Sequence, residues 1–435
     1  MKAARIFLSI LVLLGLASSA VAEPLTLQAA IARGIAENAR LKAYGIGVGE
    51  AREDVRGAWG AFLPTLGMSY QDTRLSNDSS AERDTDYLNQ QSDSSTLSLS
   101  QPLFSGFAGV AGVRKSNLAL EARELERKHM EAQLVREIRR DFHAVLQAQA
   151  QERLWVESIG RLRRQKEIAQ AWYERELATR LRLLEVEVEL SNAIQQRDIA
   201  RTNLATARAR LAHWLALPVP EELELAGDLV PALDDSFPAL AECLELARRE
   251  RPDLRIAGLN VESARQEAVL IASRNLPRAS LEAAWTDYER EYDDPAYRDD
   301  LRDYYSVAVR VSFQPFQGGR NIFAWRHQRL TIQRMRELER DLTKEIDAEV
   351  RAVHSQWQDS AARLQASTDA VTQAKDAWRF AERSLELGVG SLKDLLDAET
   401  RLTRAELMQI DAQVYRQRSK AELAYAIGAE ATGGP

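Results

Sequence analysis

The sequence predicts a mainly α-helical protein that carries a small set of strands suited to a membrane β-barrel, built by duplication of one module. Three observations lead there. The segment SLSQPLFSGF at Ser98 to Phe107 returns as VSFQPFQGGR at Val311 to Arg320, 213 residues later in a chain of 435. Beside each copy the residues alternate, most clearly where Tyr305, Val307, Val309, Val311 and Phe313 oppose Ser306, Ala308, Arg310, Ser312 and Gln314. After each copy comes a stretch without internal proline and rich in Ala, Glu, Arg, Leu and Gln, from Ala108 to Leu217 and from Gly318 to the final Gly-Gly-Pro.

Residues 1–22 read as a secretory signal peptide. Lys2 and Arg5 precede the apolar run Ile6 to Leu16, too short to span a bilayer, and Ala20-Val21-Ala22 supplies the cleavage site. The mature chain is expected to start near Glu23, outside the cytoplasm, with no Cys there for a lipid anchor. Loss of Lys2 and Arg5 takes the formal charge from -7 to -9, which argues against a nucleic-acid partner. The single cysteine, Cys243, forms no internal disulfide and reads as a small buried side chain. After the signal, no window of ~18 apolar residues remains for a transmembrane helix.

Shifted by 213 residues, the halves align without a gap at first: Leu63-Pro64 on Leu276-Pro277 and Gln101-Pro102 on Gln314-Pro315. After one residue of slippage, LLEVEVEL (Leu183 to Leu190) meets LLDAETRL (Leu395 to Leu402). The expected organisation is a first repeat over 23–215, a linker over 216–239, a second repeat over 240–428 and a tail over 429–435. A unit this long is a duplicated module rather than a solenoid repeat.

Each repeat is expected to begin with a short helix (Leu27 to Asn38; Leu240 to Glu250) and a longer one (Arg40 to Phe62; Asp253 to Asn275), ended by proline. The strand pairs follow at about 66–103 and 280–313, around the polar loops LSNDSSAERDTDYLNQQSD and EREYDDPAYRDD. Four amphipathic strands are too few to close around a lumen, and open edges are not tolerated in lipid, so several chains must each contribute strands. The long helical stretches, about 107–215 and 318–428, carry coiled-coil spacing in Val135, Ile138, Phe142 and Val145 and in Ile346, Val350, Val353, Trp357 and Ala361. A helix from Gly109 to Glu176 would be ~100 Å long. Breaks at LATRL (Leu177 to Leu181) and LGVGSL (Leu387 to Leu392) fold each stretch into an antiparallel hairpin.

Other constellations carry less. His129, His143, His213, His327 and His354 lack the spacing of a metal or hydrolase site and suit surface or tunnel-wall positions. Gly45-Ile46-Gly47-Val48-Gly49 follows a helix instead of a strand and is no nucleotide loop. Trp59 and Trp285 suit membrane interfaces, while Trp155, Trp172, Trp214, Trp357 and Trp378 suit helix packing. No carboxylate pair is marked as catalytic, and the sequence implies no enzyme, no cofactor and no metal.

RPDL at Arg251 to Leu254, the two Leu-Pro pairs, QPLFSG at Gln101 to Gly106, QPFQGG at Gln314 to Gly319 and LGVGSLKDLLDAE at Leu387 to Glu399 together resemble the TolC-like outer-membrane efflux proteins over the whole mature chain. The resemblance implies a homotrimer with a twelve-stranded barrel in the outer membrane of a Gram-negative bacterium, continuing into an α-helical tunnel through the periplasm. The partners it implies are a periplasmic adaptor (membrane fusion) protein, a proton-driven or ATP-driven inner-membrane pump, and outer-membrane lipid.

By the same resemblance, Pro102, Gly106, Pro315, Gly318 and Gly319 turn strand into helix. Leu177, Thr179, Arg180 and Arg182 in one tip, and Gly388, Gly390, Ser391 and Asp394 in the other, form the periplasmic gate and docking site. The first tip departs from the family, with Glu176 and Arg182 where glycine and aspartate are frequent, and Gly390 occupies the position that can carry a gating arginine. Arg180, Arg182 and Asp394 form an alternative latch. The function implied is an exit duct for small molecules, with type I protein secretion as the alternative and a periplasmic scaffold without a pore as the third reading.

Overall fold

The computed structural model describes residues 24–75, 90–218, 225–227, 229, 238–292 and 303–429. The expected signal peptide, most of both strand-connecting loops, much of the 216–239 segment and the tail beyond residue 429 lie outside the described residues. Among those described, the chain forms eight α-helices and four strands.

The first module begins with α1 (Leu27–Glu37), where the Thr26 side chain caps the Ala29 amide at 3.2 Å. Asn38 then accepts from the amides of Arg40 and Leu41 and starts α2 (Ala39–Trp59). A 3-10 turn (Gly60–Phe62) leads to β1 (Thr65–Leu75), followed by β2 (Gln90–Phe104), α3 (Ala108–Glu174) and α4 (Arg180–Trp214). The second module repeats the order as α5 (Leu240–Glu250), α6 (Pro252–Ser273), β3 (Arg278–Tyr292), β4 (Asp303–Ser312), α7 (Arg320–Glu386) and α8 (Leu392–Ala426). Pro252 sits at the first helical position, where its missing N–H costs nothing.

Helices α3 and α7 both have 67 residues, and α4 and α8 both have 35. The structure also locates the single residue of slippage between the repeats. Short helices begin 213 residues apart, at Leu27 and Leu240, but long ones begin 212 apart, at Ala108 and Arg320. The register of β2 on β3 shifts between Pro102 and Phe104, so the extra residue of the first copy is absorbed in a bulge at the end of the strand.

Strands β2 and β3 run further than their polar sequences suggest. Gln91, Ser92 and Asp93, expected in a loop, pair with Glu291, Arg290 and Glu289. A ladder on both sides of β2 satisfies the backbone there and overrides the weak strand preference of these residues.

The helices and strands form two compact units. One, Tyr44–Arg127 with Asp253–Thr343, holds the sheet, most of α2 and α6, and the first parts of α3 and α7. Within it, Gln328 donates to the Ala264 carbonyl at 2.8 Å, and Asn321 to Asn275 at 2.8 Å. The other unit takes α1, α5, α4, α8 and the remainder of α3 and α7. Its core contains Ile138, Phe142, Val145, Leu211, Leu215, Ile346, Val350 and Leu423, all buried, as the three-and-four spacing requires. Arg251, opening the RPDL segment, is buried in this core, where it meets Glu349 at 2.5 Å and the Ala426 carbonyl at 3.4 Å. Cys243 is fully buried, and burial pushes its thiol pKa up.

Candidate functional site: an amphipathic sheet and two hairpin tips

The four strands form one antiparallel sheet in the order β1-β2-β3-β4. Registers place Tyr305 beside Trp285, Leu97 and Met68 in one row, and Val307 beside Ala283, Leu99 and Leu66 in the next. Val309 and Leu281 continue the same face. The other face carries Thr65, Ser69, Ser94, Thr96, Ser98, Ser100, Thr286, Ser306 and Ser312, with Thr96 and Thr286 sharing a hydrogen bond of 3.2 Å. Its charged pair, Arg310 and Glu282, meets at 2.7 Å.

Among the described residues nothing covers the apolar face: Tyr305 is 80 % exposed, Val307 75 % and Met68 83 %. From Tyr305 to Phe313 the extended chain spans ~27 Å, or ~20 Å of height at the usual tilt of barrel strands, which covers most of the ~25 Å apolar band of an outer-membrane barrel. Tyr70, Trp285 and Tyr305 rim the band toward the loops, and the exposed Phe104, Phe313 and Phe316 lie at its opposite end, as interfacial aromatics do. Beyond the first rim, Asp72, Asp93 and Glu289 line up in one register row. The outer edges of β1 and β4 have no strand partner among the described residues. An apolar, open-edged sheet is stable neither in water nor, alone, in lipid.

The residues of the strand-to-helix turns take distinct parts. Gln101 donates from Nε2 to the Phe62 carbonyl at 2.9 Å, tying the strand end to the 3-10 turn, and Pro102 opens the bulge. Gly106 has φ 63, and a Cβ there would come within 2.8 Å of the Ser273 carbonyl, so only glycine fits. Pro315 precedes Gly318 and Gly319, which take φ 62 and 79, the conformations of Gly106 and Phe107 in the first copy.

Both hairpin tips close with the same hydrogen bonds. In the first, the Glu176 amide bonds the Tyr173 carbonyl and the Leu177 amide that of Trp172; in the second, Gly388 bonds Leu385 and Val389 bonds Ser384. This pattern needs a left-handed residue in the middle. Gly388 supplies it at φ 73 without strain, whereas Glu176 is held at φ 57. Glu176→Gly is therefore expected to raise the thermal stability of the helical unit by ~1 kcal/mol, and Gly388→Glu to lower it by a similar amount.

Among the described residues, Arg180, Arg182 and Asp394 make no ion pair with one another, although the charge of Arg182 is among those that lower the Asp394 pKa. Arg182 pairs with Glu185 on its own helix at 2.7 Å, and Asp394 bonds Ser391. Arg180 opens α4 after Thr179, whose side chain makes no cap bond. Gly390 donates to the Ser384 carbonyl, and a Cβ on it would approach Ser384 Cβ to 2.8 Å, so an arginine at this position does not fit this backbone.

Ser391 and Asp394 form a capping box that starts α8. The Ser391 hydroxyl and amide hold the Asp394 carboxyl below its usual pKa. A depressed folded value gives stability that is complete above the unfolded pKa of about 3.9 and lost as pH falls through the folded one. Amides at the start of α8 should exchange faster at pH 3 than at pH 5 after intrinsic correction, while those after Thr179, which lacks the box, should not change. Ser391→Ala should cost about 1 kcal/mol at neutral pH.

Behind the tips, Leu162, Ala169, Val186, Leu385, Leu392, Leu395 and Leu396 form an apolar core with Trp155, Trp172 and Trp378 packed on it. Glu399 of α8, 1 % exposed, accepts from Arg161 Nε of α3 at 2.9 and 2.8 Å, from Ser158 Oγ at 3.0 Å and from Thr403 Oγ1 at 3.2 Å. Glu406, its pKa raised mainly by burial, meets the far side of Arg161 at 3.4 Å. Sequence reading missed this cluster, although its signal was present: Glu399 occupies an apolar-stripe position between Leu395, Leu396 and Leu402. His354 is likewise buried, contrary to the expected surface or tunnel-wall role, and burial lowers the pKa of His143 to about 4, keeping it neutral at pH 7.

The outer membrane efflux protein family model matches this chain twice, over residues 30–216 and 243–429. The alkaline protease secretion protein AprF of Pseudomonas aeruginosa is 29 % identical over 360 residues, covering 79 % of this chain and 72 % of AprF. Among solved structures, the CmeC outer membrane channel of Campylobacter jejuni matches with a TM-score of 0.82 and 13 % identity, covering 93 % of this chain and 86 % of CmeC. CusC, studied for transmembrane channel formation, matches with a TM-score of 0.80 and 16 % identity over 92 % of each chain.

Proposed function

Because the chain belongs to the outer membrane efflux protein family, and so is a channel component and not an enzyme, we propose that three copies close their sheets into one twelve-stranded barrel and their helices into a periplasmic tunnel. The observation that carries this is the sheet with a bare apolar face, a hydroxyl-lined opposite face and two unpartnered edges. Three copies joined β4 to β1 remove every edge, put the apolar band in lipid and turn the hydroxyl face to water. Residues 1–22 direct export and are cleaved near Ala22.

In this reading the tips, Leu177 to Leu184 and Leu387 to Leu396, meet a periplasmic adaptor and an inner-membrane pump that supplies the energy. Small toxic molecules are the cargo. The similarity to AprF favours a second reading, in which the cargo is a secreted protein and the pump an ATP-driven transporter. Crosslinking from the tips in intact cells, followed by mass spectrometry, tests both. A proton-driven pump with its adaptor is expected; an ATP-driven transporter selects the second reading; absence of any inner-membrane partner overturns the duct.

A further inference from the structure

We propose that the buried Arg161–Glu399 pair is a pivot, a fixed point at which the two helical hairpins of one protomer stay joined while the tips beyond it open and close. The inference rests on the duct reading above. Arg161 belongs to the first hairpin and Glu399 to the second, 238 residues apart. The tie is directional: Glu399 receives two bonds from one guanidinium nitrogen, with Ser158 and Thr403 filling the rest of its coordination. Pulling these groups apart would strand a charge at 1 % exposure on one side and 13 % on the other.

Contacts nearer the helix ends are of another kind. Ala169, Val186, Leu385, Leu392 and Leu395 are aliphatic, and such surfaces slide at little cost because their attraction has no direction. Glu399 lies seven residues into α8, and Arg161 thirteen before the end of α3, so ~10 to 20 Å of helix lies beyond the pair on either side. The equivalent glutamate of the first repeat, Glu187, instead pairs with Lys166 inside its own hairpin at 2.9 Å, half exposed. Only the second copy of this glutamate ties the two hairpins together in this cluster.

Without the tie the two hairpins can also separate at this level, a set of open arrangements that the wild type lacks, so Glu399→Gln is expected to raise the open time of the resting trimer in planar bilayers about tenfold.

Should Glu399→Gln not fold, the apolar pair Arg161→Met/Glu399→Leu keeps packing and melting temperature but lacks the directional tie. The same rise in open time is expected of it, which a purely structural role would not produce. Unchanged gating in intact trimers of both variants would overturn the pivot. Trimers that insert but pass no current in the wild type and in both variants alike would overturn the duct reading itself, and the pivot with it.

Discussion

Arginine in place of Val309 is expected to keep the protein out of the outer membrane. Val309 lies on the bare apolar face beside Leu281, between the rows of Val307 and Val311. A cationic side chain on the lipid face near the bilayer midplane costs ~2–4 kcal/mol, so three copies in a trimer cost about 6–12 kcal/mol, comparable with the stability of a whole domain. The adjacent Ala308 points to the opposite face, beside Glu282. Ala308→Arg should insert normally and alter only the lumen. Membrane fractionation and the amount of trimer resistant to detergent measure both variants; Val309→Arg recovered in the outer membrane at wild-type levels would assign the faces the other way round.

The second large effect is expected at Arg251, far along the chain from any strand. Its guanidinium reaches Glu349 at 2.5 Å and the Ala426 carbonyl at 3.4 Å, and lies 5.9 Å from the Tyr425 ring that Arg136 covers at 4.2 Å. Arg251→Ala leaves Glu349 and the last carbonyls of α8 without this donor. Removing one member of a fully buried pair costs ~3–5 kcal/mol. Glu349 is 37 % exposed on its side chain, so water offsets part of that and about 2–3 kcal/mol remains. Thermal unfolding should show the loss. Arg251→Lys should recover part of it, since a single ammonium keeps the charge but cannot serve the carboxylate and the carbonyl with a planar fork.

What was legible in the sequence was whatever repeats or alternates. The 3.5-residue spacing around Ile138 and Val350 located the helical core, and the period-2 pattern around Val309 assigned the faces of β4. Duplication supplied a second copy of each signal, which is why two helices of 67 residues were visible despite their unusual length. What escaped were pairings between residues far apart in sequence. Asp93 joined a strand because β3 lies beside it, and Arg251 found a carboxylate 98 residues away. At the tips, residue types marked the turns correctly but not their partners. Asp394 is taken by a serine three residues before it, a local bond that competes with any cross-tip latch.

The unpartnered edges of β1 and β4 also impose an order on biogenesis. A lone protomer cannot send its strands into the bilayer, because each bare edge would carry unpaired amides and carbonyls into hydrocarbon. Nor can two protomers, which still leave one edge at each end. In the proposed trimer insertion therefore waits for the third chain, so the rate of arrival in the membrane should rise far more steeply than in proportion to the supply of protomers. On the proposed route, the chain until then travels with its apolar strands exposed, the stage at which a periplasmic holding chaperone would find its substrate.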